Sequence, residues 1–406
     1  MSGALSHLRV LDLSRVLAGP WVGQTLADLG ADVTKIERPK VGDDTRSWGP
    51  PYLNDGSGNE TSEAAYFLSA NRNKKSVTID ITAPEGQEIV RQLAKNVDVV
   101  IENFKVGGLK QYGLDYESLK AINSKLIYCS ITGFGQTGPY SPRPGYDFLI
   151  QGMGGLMSIT GGKEGDPGAG PQKVGVALTD ILTGLYSTVA ILAALTYRDI
   201  TGIGQHIDMA LLDVQIAALA NQNMNFLITG VAPKRMGNAH PNIVPYQDFP
   251  TADGDMILAV GNNAQFAKLC DAVGHPEWAK DERFADNKAR VVNREKLIPL
   301  LRQETVMRTT KEWVALLEQV GVPCGPINTL QDVFDDPHVK ARGMQIELPH
   351  PLAGMVPSVA NPIRLSETPV EYRSAPPTLG QHTNSVLKEL GMESCEIALL
   401  AARGII

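Results

Sequence analysis

The strongest constraint on this chain is the alternation of short apolar, strand-like runs with helical stretches over its first third. Residues 9–14 (RVLDLS) read as a buried strand, Pro20 to Leu29 as a helix and 32–37 (DVTKIE) as a second strand. The pattern returns with a strand over 76–81 (SVTIDI), a helix over 85–96, a strand over 97–103 (VDVVIEN), a helix around 116–123 and a strand over 126–132 (LIYCSIT). Strand-helix alternation of this kind predicts an α/β, Rossmann-like domain with a mostly parallel sheet. Its ligands are expected in the crevice at the carboxyl ends of the strands.

At 406 residues the chain exceeds one ordinary domain. The stretch from Gln151 to Gly175 holds nine glycines in 25 residues, too many for a helix or central strand, and reads as a loop able to approach a ligand closely. A long helical region follows, up to about Gly230. The pattern then shifts to turns, the strand-like run MILAV and charged amphipathic helices from Phe266 to Val320. The expected organisation is a large domain over 1–224, a smaller α+β domain over 225–335, and a return to the large domain over 336–406.

A net charge of -7 and a pI near 5.6 disfavour nucleic acid and anionic membrane as main partners. Cys129, Cys270, Cys324 and Cys395 form no C-x-x-C pair, and the seven histidines show no metal-ligand spacing. No metal site and no disulfide framework are expected. The start runs directly into a strand-like segment without a signal peptide or a visible transit peptide. The cytoplasm is the expected location, or the mitochondrial matrix in a eukaryote. The apolar stretch Tyr186 to Tyr197 is too short to span a bilayer and reads as a core helix.

The first strand-helix turn, SRVLAGP, lacks the G-x-G-x-x-G that brings a pyrophosphate against a helix start, which disfavours a nicotinamide enzyme. Arg38, after the second strand, is placed either as a loop charge or as a partner for a phosphorylated ribose, such as the 3′-phosphate of coenzyme A. Arg72, Lys74, Lys75 and Lys105 also lie beside strand ends, where charge-assisted bonds suit a phosphate as well as water. Trp48, in a Pro/Gly loop, covers a pocket or plugs a core. Asp180 is the one acidic residue between Pro171 and Leu195, at the start of an apolar helix. By itself it reads as a helix cap.

Together these segments resemble the class III CoA-transferases, the family of formyl-CoA and carnitine CoA-transferases. The resemblance rests on RVLDLSRVLAGPWVGQTLADLGADVTKIERP (Arg9 to Pro39), NRNKKS, VIENFKVGGLKQYGL, ITGFGQTGPYSPRPGYDFLIQG, VGVALTD, GQHIDMALLD and LGQHTNSVLKELG, in one order over nearly the whole chain. It implies a Rossmann-like large domain built from both termini, a small domain between, and a homodimer of two chains interlocked as rings. CoA and acyl-CoA enter as substrates, with no tightly bound cofactor. The family's nucleophilic aspartate falls on Asp180. Its CoA contacts fall on Leu17, Ala18, Arg38, Ala70, Asn71, Arg72, Asn73, Asn103, Phe104, Lys105 and Tyr146.

A carboxylate of ordinary pKa, about 3.9, is already an anion at neutral pH and needs no neighbouring base, which fits the absence of a Ser-His-Asp set. Oxyanion donors are expected from the Gly152 to Gly162 loop or from Gly261, Asn262 and Asn263, the two asparagines serving equally as turn formers. Trp48 and His240 complete the expected substrate site, with closure of the small domain shielding the intermediate from water.

Two departures from the pattern bear on specificity. Gln111 stands where some formyl-CoA transferases use an arginine, and Gly237-Asn238-Ala239 is followed by His240-Pro241-Asn242 rather than by glycines. Formate and oxalate are therefore not the expected acids. The resemblance is closest to members that handle dicarboxylates, with succinyl-CoA as donor and glutarate as acceptor. Arg46, Arg235 and His240 are candidates for the second carboxylate. A racemase of the same fold uses a histidine where Gly145-Tyr146-Asp147 has tyrosine, so its proton shuttle is missing here.

Overall fold

A computed structural model describes residues 3–406, which divide into two compact units. The large unit comprises 3–156, 174–228 and 340–406, and the small unit comprises 157–173 and 229–339. The small unit thus takes in a piece of the glycine-rich segment, which a boundary at residue 225 leaves in the large domain.

Six parallel strands form the sheet of the large unit: β1 (Arg9–Asp12), β2 (Asp32–Glu37), β3 (Lys74–Thr78), β4 (Val99–Glu102), β5 (Ile127–Thr132) and β6 (Gln205–Ala210). Their spatial order is β3-β2-β1-β4-β5-β6, with Leu11 of β1 opposite Thr34 on one side and Val100 on the other. That is the doubly wound nucleotide-binding order, whose direction reverses between β1 and β4. β4 (VVIE) is buried along its whole length, as a parallel strand covered on both faces must be. β6 lies inside the region expected to be continuously helical: His206, Ile207, Asp208 and Met209 alternate poorly, and pairing with β5 decides their conformation.

Two cores sandwich the sheet. On one face α1 (Ala18–Asp28) and α4 (Leu178–Thr201) bury Val22, Leu26, Ile191 and Leu195. On the other, α2 (Pro84–Ala94) packs Ile89 and Val90 with Val386, Leu387 and Leu400 of the carboxyl-terminal helices α9 (Thr383–Glu389) and α10 (Ser394–Ala402). The tail also clasps the outermost strand, since Ser76 N–H donates to His382 Nδ1 at 3.2 Å, Thr78 N–H to Thr383 Oγ1 at 3.0 Å, and Asp80 N–H to Ile405 O at 2.7 Å.

α1 and α4 approach closely because of Gly184, where a Cβ would lie 3.0 Å from Ala18 O and 3.1 Å from the Trp21 side chain. Any side chain there pushes the two helices apart. α4 is 24 residues long, longer than the stretch Tyr186 to Tyr197, and by length and composition alone it could cross a membrane. Half of its apolar window is buried in the protein. Ahead of it, the glycine-rich segment begins with a short helix, α3 (Asp147–Met153), in place of the expected loop. Its N-terminal carboxylate, Asp147, bonds the start of α4, as described below.

The small unit has a three-stranded antiparallel sheet of β7 (Tyr246–Pro250), β8 (Asp255–Ala259) and β9 (Cys324–Pro326), in the order β9-β8-β7. Phe249, Leu258, Phe266, Leu297 and Trp313 form its core with the helices α6 (Asn263–Ala272), α7 (Arg294–Thr305) and α8 (Thr310–Val320). The fully buried Arg290 is satisfied by Val244 O, Phe284 O and Asn263 Oδ1 and lies over the Phe266 ring.

Candidate active site

The reversal between β1 and β4 leaves a crevice where the chain leaves both strands. A cavity of about 150 Å³ opens there, lined by Leu17 and Ala18 after β1, Asn103, Phe104 and Lys105 after β4, Tyr146, and Asp180 from the first turn of α4. Seven residues expected from widely separated segments thus meet at one point. A larger cleft of about 530 Å³ shares Arg15 and Phe104 with it and extends past Arg38 and Lys40 to Tyr112. Arg38, Lys40 and Lys105 are exposed and carry no ion pair among the described residues, so their charges are free for an anion.

Asp180 does not cap its helix. The cap position belongs to Ala177, which lacks a side-chain bond, and the carboxylate of Asp147 takes over that duty. Asp147 Oδ1 accepts from the N–H of Thr179 at 2.8 Å and of Asp180 at 3.3 Å, while Oδ2 accepts from Gln151 Nε2 at 2.7 Å. Gln151 Oε1 in turn accepts from Val174 N–H, and Thr179 Oγ1 donates at 2.6 Å to Gln215 Oε1 of α5 (Leu211–Ala218). These bonds fix where the helix begins and leave the Asp180 side chain free of capping work.

The electrostatics differ from the expectation of a permanently ionised carboxylate. Asp180 is buried, and burial followed by the nearby Asp147 pushes its pKa up to about 7. Removing the carboxylate from water raises its free energy and makes it a better nucleophile when deprotonated. Tyr66 is also part of this neighbourhood: its phenol is pushed up to about 12 by burial and then by Asp180, Asp147 and Asp43. No motif marks Tyr66 in the sequence. Trp48 packs edge-on against Tyr66, with ring centroids 5.1 Å apart, and is itself 43% exposed, so it lies over a neighbour of Asp180 rather than in a core.

Several expected contacts are used by the fold instead. Ala70 and Asn71 are fully buried, and Asn71 bonds Phe67 O and Lys74 Nζ. Arg72 pairs with both oxygens of Asp28 and donates to Val359 O; Asn73 donates to Asp28 and to Glu371 O. A buried charge left unpaired is costly, so these side chains are not available to a phosphate. Lys74 is likewise buried against Asp12, and Lys75 pairs with Asp32. Arg46 is buried between Glu37 and Glu63, which removes it as a partner for substrate.

In the small unit Gly261 N–H donates to Gln265 Oε1, Asn262 caps α6 by accepting from Gln265 N–H at 2.9 Å, and Asn263 holds Arg290. These three residues build a helix start: the Gly261 N–H is occupied, and Asn262 and Asn263 use their side-chain oxygens as acceptors. His240 packs on Tyr246 at 5.3 Å and accepts from Asn242 N–H, while burial and then Arg294 lower its pKa. The Nε of Arg235 is buried without a hydrogen-bond partner.

A model of the CoA-transferase family III matches residues 5–383. The succinate–glutarate CoA-transferase of Agrobacterium fabrum is 54% identical over 386 residues, 95% of each chain, and the human succinyl-CoA:glutarate CoA-transferase is 43% identical over 99% of this chain and 90% of its own. The succinyl-CoA:mesaconate CoA-transferase of Haloarcula marismortui is 38% identical over 97% of this chain and 98% of its own. A crystal structure of a CAIB/BAIF family protein from Brucella suis is 55% identical, with a TM-score of 0.83 over 96% of this chain and 100% of that one.

Proposed function

Because the chain belongs to CoA-transferase family III and is an enzyme of that class, we propose that it moves CoA from a dicarboxylyl thioester, succinyl-CoA, to a second dicarboxylic acid such as glutarate, with Asp180 as the acyl carrier. The observation that carries this reading is the buried Asp180 carboxylate lining the crevice beyond β1 and β4 of the doubly wound sheet, and its pKa, raised to about 7, supports it. Arg38, Lys40 and Lys105 meet the phosphates of CoA and draw its thioester end toward Asp180.

An Asp180 carboxylate oxygen attacks the thioester carbonyl, the C–S bond breaks, and a mixed anhydride and CoA thiolate result. The thiolate then attacks the aspartyl carbonyl carbon; its C–O bond breaks, releasing the donor acid and leaving an aspartyl thioester. The acceptor carboxylate enters by the mirrored pair of steps, which restores Asp180. No external proton or electron is consumed.

Incubation with succinyl-CoA and a panel of free acids, followed by mass identification of the CoA esters, tests the substrate class. Glutarate and acids of similar length are expected to be esterified at least about 10-fold faster than monocarboxylates, the discrimination one well-placed ion pair provides. Exclusive use of formate would overturn the dicarboxylate reading, and exclusive use of oxalate, the shortest dicarboxylate, would overturn the assignment of succinate and glutarate.

The assembly we propose is a homodimer. Leu185, Tyr186, Val189, Tyr197 and Ile200 of α4 are all more than 40% exposed, an apolar stripe unusual for a free surface. Sedimentation equilibrium should give twice the chain mass of 43.7 kDa, and a monomer at micromolar concentration would exclude it.

A further inference from the structure

Consecutive backbone groups at the exit of β1 are gripped by side chains from three other segments. Ser14 O accepts from Lys35 Nζ at 2.6 Å. Arg15 N–H donates to Asn103 Oδ1 at 2.9 Å, and Arg15 O accepts from Asn103 Nδ2 at 2.7 Å. Val16 N–H then points at both carboxylate oxygens of Asp43, at 3.2 and 3.3 Å. Lys35 closes the set by pairing with Asp43 at 2.9 Å, with both side chains almost wholly buried.

What this grip holds is strained. Val16 has φ of 72°, in the left-handed region that β-branched residues avoid. Strain of this kind persists only where surroundings impose it. Asp43 is equipped to impose it: burial opposes its ionisation, but Lys35 and the N–H of Thr45 outweigh that and hold its pKa at about 2. It therefore stays charged at neutral pH. The chain passes from Val16 directly into Leu17 and Ala18, which line the same cavity as Asp180.

We propose that Asp43 is a positioning residue: seated by Lys35, it holds Val16 left-handed and thereby fixes Leu17 and Ala18 beside Asp180. The proposal rests on the reading of Asp180 as acyl carrier. Asp43 acts through the backbone of the turn, not on the reacting atoms. Without it, Val16 relaxes to negative φ and the start of α1 is redirected, so the acyl group on Asp180 loses its fixed wall.

A double-mutant cycle with Val16→Gly separates this from a merely structural role, because glycine adopts positive φ without strain. Asp43→Ala is expected to lower kcat/KM by about 10- to 100-fold, equivalent to about 1.4–2.7 kcal/mol, which lies within the cost of one strained backbone residue. In the Val16→Gly background the same substitution should cost no more than about threefold, and in neither background should the acid limb near pH 7 move. Equal penalties in the two backgrounds, or no penalty at all, would overturn the proposal. If Asp43→Ala does not fold, Asp43→Asn, which loses the Lys35 ion pair, carries the cycle with a smaller penalty relieved in the same way.

A crystal structure of the Asp43 variant reads the backbone independently of turnover. Val16 should adopt negative φ there and remain positive when replaced by glycine; a Val16 that stays left-handed without the Asp43 carboxylate refutes the clamp. Wild-type protein that transfers no CoA sinks the reading of Asp180 and leaves the crystallographic test of the clamp intact.

Discussion

Replacing Asp180 with alanine is expected to lower kcat for CoA exchange by about 10⁴-fold or more while CoA affinity stays within a few fold. The magnitude follows from the role: a nucleophile that forms the intermediate cannot be compensated by the groups around it, and losses of this order accompany removal of such groups. The selectivity follows from geometry. Arg38, Lys40 and Lys105, the charges free to meet phosphate, lie in the loops after β2 and β4 and owe nothing to α4. Exchange assays paired with calorimetry of CoA binding separate the two effects. During turnover of the wild type, peptide mapping should find the acyl or CoA adduct on Asp180. An alanine variant with undiminished exchange would remove this residue from the chemistry.

The second large effect is on pH dependence. With the folded pKa of Asp180 raised to about 7, the nucleophilic form is lost as pH falls through 7. Wild-type kcat/KM is therefore expected to fall about 10-fold per pH unit on the acid side, reaching about 100-fold below its plateau at pH 5. Asp147 is the second cause of the raised value after burial, so Asp147→Asn should move the limb below 7. Its plateau should also drop about 10-fold. The new amide can still accept from Thr179 N–H, but its NH₂ then faces Gln151 Nε2, a donor against a donor, and the start of α4 loosens. Burial alone would leave a residual upward shift. An acid limb that stays at 7 in this variant would show that Asp147 does not set the titration.

The local parts of the fold were legible because they obey local rules. The strand-helix alternation over the first 132 residues gives five of the six parallel strands, and Asp180 stands out as the lone charge in its segment. What was not legible depends on partners far along the chain. Arg72 looks like a free cation until Asp28, 44 residues earlier, closes on it. Arg46 is claimed by Glu37 and Glu63 in the same way. Asp147 sits 33 residues from Asp180 on a different helix, so nothing in the sequence near Asp180 reports that its carboxyl will be held near neutrality. The strand β6 is decided by an available edge of β5, a tertiary contact that outweighs local preference.

The clasp of the tail on β3 has a consequence for synthesis. A nascent chain emerging from the ribosome carries every strand of the sheet long before His382, Thr383 and Ile405 exist to cover Ser76, Thr78 and Asp80. The small unit, continuous from 229 to 339 apart from one short earlier piece, has its buried core, Val244 to Val322, translated before that tail. The large unit therefore waits, edge exposed, until residues 382–405 have been made. Chains stalled on the ribosome before residue 382 present that edge unpaired and are expected to engage chaperones more than chains stalled after residue 405.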